Sequence, residues 1–246
     1  ITAHGHGRAL WRAGRTEEAR QALVRAVAGL PDTPDDEHLF LPTPLQVHAD
    51  LIDLLLESGD EEAAFAATCR ARSQGVEELE VPDLAELQDA LPEDASALLY
   101  LVTPEELLLW VVSPGWLAVH REPQERAALE KGIAAYVQLA SAPPRGNRRL
   151  ARAWQEPAAA LYDSLVRPVA DQLKDSPVLV VLPHGPLTDL PFAALLDDRA
   201  GEILAQQHTL LTAPGTWALA GPGPEELPRK PAALLVGDPT GLGPVS

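Results

Sequence analysis

"VLVVLPHGPLTDLPFAAL", residues 178–195, runs from an apolar stretch into Pro-His-Gly and back into an apolar stretch. Val178–Leu182 has no polar interruption, which predicts a strand buried on both faces, as in a parallel sheet. Pro183, Gly185 and Pro186 then predict a turn. Open α/β sheets place their functional groups at the carboxyl ends of such strands. His184 is therefore a catalytic base, a residue that caps the turn or hydrogen-bonds a backbone group, or one with a substrate-facing or regulatory role. A Ser/His/Asp constellation with His184, Asp189 and a serine lacks any G-x-S-x-G elbow to activate the serine.

Strands and helices alternate around this segment. Ala232–Val236 predicts a second buried strand, expected beside Val178–Leu182. "SALLYLVT" (96–103), "ELLLWVV" (106–112) and "WLAVHRE" (116–122) are separated by turn residues and predict an antiparallel meander. Helices are expected over 123–141, over 158–173, and over "DLAELQDAL" (83–91) between Pro82 and Pro92. "PPRGNRR" (143–149) is a basic loop, either a plain connector or an anion- or partner-binding segment.

The N-terminal part is helical. Gly14 separates two helical runs, and Ala19, Leu23, Ala26 and Leu30 fall on one predicted face. Gly7, Leu10, Gly14, Ala19, Leu23, Ala26 and Pro31 resemble a tetratricopeptide (TPR) unit, although the large residue usual early in the first helix is missing. An ordinary helical hairpin remains the alternative. A second unit, residues 46–73, turns at Ser58-Gly59-Asp60. Gly14 and Gly59 stand 45 residues apart. That exceeds a 34-residue repeat, and the excess falls in the acidic, proline-rich stretch 31–44. Two units are fewer than a solenoid needs, so more are expected to precede Ile1. Cys69 reads as a small apolar residue at a helix contact, with Arg70 and Arg72 expected to face solvent.

Composition bounds the function. The 246 residues are 46% hydrophobic, with 36 acids against 19 Lys and Arg and a net charge of −17. No sequence-independent grip on nucleic acid or an anionic membrane is expected from that balance. No apolar run reaches a transmembrane length and nothing resembles a signal peptide. One cysteine excludes an intrachain disulfide and a cysteine-based zinc site and fits a reducing cytoplasm. No cofactor or metal is expected. With no methionine and Ile1 at its start, the chain is expected to be a piece of a longer protein.

"AFAATCRARS" (64–73), residues 84–113, "LYDSLVRPV" (161–169), residues 178–197 and "PAALLVGDP" (231–239) together resemble the front half of a CHAT domain, a caspase-like module found after TPR arrays. The most specific piece holds Pro183, His184, Gly185, Pro186, Leu187, Leu190, Pro191 and Phe192. The chain departs from the family at Cys69, where glutamate is frequent, and at Thr212-Ala213-Pro214-Gly215, where Pro-Ser is usual.

The resemblance implies an α/β fold: TPR-like repeats over 1–76, a linker helix over 77–92 and an incomplete CHAT domain over 93–246. It also implies a bacterial, TPR-regulated cysteine endopeptidase that cleaves a protein partner. Its His–Cys dyad would lie beyond residue 246, leaving no catalytic residue in this chain and a structural role for the eight motif residues. The partner is expected on the TPR part. Two alternatives stay open: a non-enzymatic adaptor or pseudoprotease, and one chain of a matured protease completed by a second, C-terminal protease chain.

Overall fold

The computed structural model describes residues 2–30, 43–73, 81–141 and 152–219. Pro31, most of the acidic stretch 31–44, the basic loop 143–149 and the expected strand Ala232–Val236 lie outside the described residues. The N-terminal region is two helical hairpins, α1 (Thr2–Arg12) with α2 (Thr16–Ala28) and α3 (Pro44–Glu57) with α4 (Glu61–Arg72). They turn at Gly14 and Gly59. Gly7 is fixed by close approach, since a Cβ there would stand 2.8 Å from Leu23 Cγ. Caps start the second hairpin: Thr43 Oγ1 accepts from Gln46 N–H at 3.3 Å, with Pro44 in the first turn, and Asp60 accepts from Ala63 N–H at 3.2 Å. The inward face of α2 is narrower than the sequence reading. Ala19, Ala22 and Leu23 are buried, whereas Ala26 and Leu30 are only half-buried.

A short helix α5 (Leu84–Ala90) follows, held by an Asp83–Glu86 capping box. Next come β1 (Ala95–Val102), β2 (Glu106–Ser113), β3 (Trp116–Pro123), α6 (Arg126–Ala140), α7 (Gln155–Leu165) and β4 (Val178–Leu182). A two-stranded piece, β5 (Leu196–Asp197) with β6 (Glu202–Ile203), then α8 (Leu204–Gln207) and β7 (Thr209–Thr212), end the described chain. The main sheet has the order β3-β2-β1-β4-β7. The meander β1–β2–β3 is antiparallel, and β1–β4 and β4–β7 are parallel. This is the mixed α/β class read from sequence.

β4 is flanked by β1 on one edge and by β7 on the other. Thr209–Thr212, at the margin of the sheet among the described residues, gives little sequence signal because it is short and mostly exposed, with Leu211 54% exposed.

Alternation along β1 divides the core in two. Ala97, Leu99 and Leu101 join Trp110, Leu182 and the inner faces of α2, α3 and α4. Leu98, Tyr100 and Val102 join Leu179 and Val181 under α6 and α7. The sheet is thus a middle layer between helices, and β1 and β4 are buried on both faces. Each fully buried leucine contributes roughly 1.5–3 kcal/mol. The α4 side is fastened by Phe65 edge-on to Trp110, with ring centroids 5.4 Å apart, and by Trp110 Nε1–H donating to Thr68 Oγ1 at 3.2 Å.

Candidate functional site

The sequence motif maps to the carboxyl ends of the two parallel central strands. Backbone accounting explains its form. Thr103 N–H bonds Glu106 O at 2.9 Å in the antiparallel turn. Antiparallel bonding alternates, so Tyr100 and Val102 aim their backbone groups the other way, toward β4. The parallel ladder, however, ends at Leu99↔Leu182. Pro183 has no N–H to offer, and His184 O instead accepts from Leu187 N–H at 3.2 Å to close a 3-10 turn.

Side chains continue the ladder past that point. Arg72 Nη1 donates to Tyr100 O, and Arg72 Nη2 donates to Pro183 O at 2.9 Å. Val102 N–H donates to His184 Nδ1 at 3.1 Å. Because Nδ1 is the acceptor, the neutral ring carries its proton on Nε2. Burial, helped by the nearby Arg72 and Arg126 guanidiniums, holds His184 down to about 4. The imidazole is therefore neutral near neutral pH. Its ring makes no side-chain cap to the turn; its partner is the next strand.

The remaining motif residues form a packed wall. Gly185 has φ +55°, a left-handed backbone that favours glycine, and the space around it is open enough for a Cβ. Pro186 starts the turn. Leu187, Leu190 and Phe192 are buried against β1, α6 and α7, while Pro191 is exposed. Phe192 lies against Tyr100 with centroids 5.4 Å apart, and Tyr100 Oη–H donates to Leu165 O at 2.8 Å. Burial pushes the Tyr100 phenol far up, so it stays protonated. Asp189 is exposed, and among the described residues neither it nor a serine hydroxyl hydrogen-bonds His184. The Ser/His/Asp constellation is not assembled here.

Cys69 sits one helical turn before Arg72 and is 2% exposed. Burial pushes its thiol up to about 12, against smaller downward pulls from Arg72, the Thr216 hydroxyl and Arg70. The thiol is therefore protonated near neutral pH. Arg70 is exposed, as expected from the sequence. Arg72 is not: its stem is half-buried and its head reaches the strand ends, because two carbonyls there lack ladder donors. Burial lowers it to about 10, which leaves it charged near neutral pH. Arg72 is the residue that sequence reasoning missed. Its sequence neighbourhood carries no signal for this role, since both acceptors, Tyr100 O and Pro183 O, come from distant parts of the chain.

A cavity of about 300 Å³ opens elsewhere, between α3 and the β1–β2 turn, with Asp50, Asp53, Glu105, Glu106 and Arg121 among its walls. Arg121 binds Glu106 through two nitrogens, at 2.8 and 2.9 Å, and Asp53 at 2.6 Å. Burial raises Asp53 to about 6, with Arg121 pulling it down and Glu106, Asp50 and Glu57 pushing it up. Among the described residues no group of three His, Cys, Asp or Glu side chains is placed to hold a metal ion. No helix among them is long and apolar enough to cross a membrane.

No curated protein matches the chain. One family model does, covering α7, β4, the Pro183–Phe192 loop and β7. Residues 155–245 match the CHAT domain.

Proposed function

We propose that this chain supplies the framework of a caspase-like cysteine endopeptidase that cleaves a protein partner and is regulated through TPR-like helical repeats. The observation that carries this reading is the CHAT match over 155–245, which includes the β4 strand and its loop. The arrangement supports it in a specific way. Two parallel strands end side by side, and the loop that follows β4 is pinned by Arg72 and His184 rather than left to fluctuate. A thiolate–imidazole pair needs such a rigid edge, because proximity contributes to catalysis only when the groups are held in place.

In this reading His184 is not the catalytic base. Its Nδ1 is engaged by Val102 and its proton affinity is far below that of a base poised for neutral pH. The catalytic histidine and cysteine belong to segments C-terminal to Ala232–Pro239. The helical hairpins take the partner. The net charge of −17 favours a basic or mixed-charge one.

A second reading, a pseudoprotease or adaptor, draws on Cys69: the one thiol of this sequence is buried and protonated. The test uses the whole protein in which the sequence occurs. Incubation with candidate partner proteins, followed by mass spectrometry of new termini, should show discrete cleavage that a thiol alkylator abolishes. Partner binding without cleavage would favour the adaptor.

A further inference from the structure

Arg72 belongs to the last turn of α4, yet its bonds are made to the sheet. It holds the Tyr100 carbonyl of β1 and the carbonyl of Pro183, the first residue past β4, at the point where the backbone ladder between the two strands has run out. We infer that Arg72 is a positioning residue, the latch through which the helical hairpins set the conformation of the Pro183–Phe192 loop. The inference rests on reading that loop as a wall of the active site, and it assigns regulation of the loop to one side chain.

Three observations lead there. The fork geometry of a guanidinium lets one side chain bind two carbonyls at once, which a lysine ammonium on its flexible stem does not reproduce. Arg72 forms no ion pair among the described residues, so its head is held by these carbonyls and is not shared with a carboxylate. The loop has its own local bonds, Leu187 N–H to His184 O, Thr188 N–H to Gly185 O and Leu190 N–H to Leu187 O. Its described bonds to the strand ends are the Arg72–Pro183 and Val102–His184 pairs, and only the first starts from the helical part. A shift of α4 relative to the sheet therefore reaches Pro183 directly, and His184 is the next residue. The coupling acts between two described elements and needs no contiguous wire through the core.

Amide hydrogen exchange on the 246-residue chain tests this without any catalytic readout, so a failed peptidase assay and a failed latch are separate outcomes. The reporters are the Leu187, Thr188 and Leu190 amides. The Leu109 and Val111 amides of β2 report on the sheet as a whole. Arg72→Met should raise exchange at the loop tenfold or more while β2 changes less than twofold, and Arg72→Lys should give an intermediate rise. Gly7→Ala wedges α1 from α2 against Leu23. It should raise loop exchange severalfold in the Arg72 background and leave it unchanged in the Arg72→Met background. Should Arg72→Met fail to fold, the same cycle is run on Arg72→Lys, where the response to Gly7→Ala should be reduced. Equal responses to Gly7→Ala in both backgrounds, no response in either, or a rise at β2 matching that of the loop would each overturn the latch.

Discussion

Val102 N–H donates to His184 Nδ1 across 3.1 Å, so the imidazole occupies the place of a ladder acceptor between β1 and β4. Variants at position 184 should sort by what they offer Val102. His184→Asn retains a carbonyl oxygen as acceptor and should cost about 1 kcal/mol, the net value of one hydrogen bond. His184→Leu leaves the buried Val102 N–H unpaired and should cost about 1–3 kcal/mol. Urea denaturation of both variants gives the comparison. Equal losses would mean that the bond is not what fixes the ring.

The same histidine predicts a pH dependence. Burial lowers His184 and His48 to about 4, against about 6.5 in the unfolded chain. As the pH falls below the unfolded value, the unfolded chain takes up protons that the folded chain refuses. Stability is therefore full above about pH 6.5 and declines toward pH 4. Each histidine should remove about 1–2 kcal/mol between about pH 7 and pH 5. Asp53, raised to about 6, works the other way over its own range and offsets part of the loss. Denaturant midpoints at the two pH values should show the decline, and His184→Asn should flatten it.

Leu179 is fully buried beneath α6 and α7. Leu179→Asp places a carboxylate in that apolar cluster and should cost several kcal/mol, about enough to unfold a marginal domain. A variant that melts within a few degrees of the parent would contradict the central position of β4.

Arg121 pulls Asp53 down while burial and three carboxylates push it up. Arg121→Gln should therefore move the Asp53 titration further above 6, as followed by carboxyl carbon shifts in NMR. The stability change should be small, about 0–1 kcal/mol, because the guanidinium is half-exposed.

The sheet was legible where burial is strongest. β1, β2 and β4 are continuous apolar runs, and Thr103-Pro104 and Ser113-Pro114-Gly115 mark their ends. β7 was not legible, since Thr209–Thr212 has one exposed face and no apolar run. The loop motif was visible as a motif, but its partners were not. Val102–His184 and Arg72–Pro183 span 82 and 111 residues of sequence. Helical spacing says only that Arg72 follows a buried alanine. It does not say that two carbonyls wait beyond the helix end.

Cys69 carries the most direct test of the central claim, that the chemistry resides in a cysteine the described framework positions but does not contain. The whole protein is treated with a peptide bearing a thiol-reactive warhead, and the modified residue is mapped by mass spectrometry. The account predicts rapid labelling of a cysteine other than Cys69, with Cys69 modified only after denaturation because its thiol is buried and raised to about 12. Labelling of Cys69 in the folded protein, or no labelled cysteine at all, would contradict it.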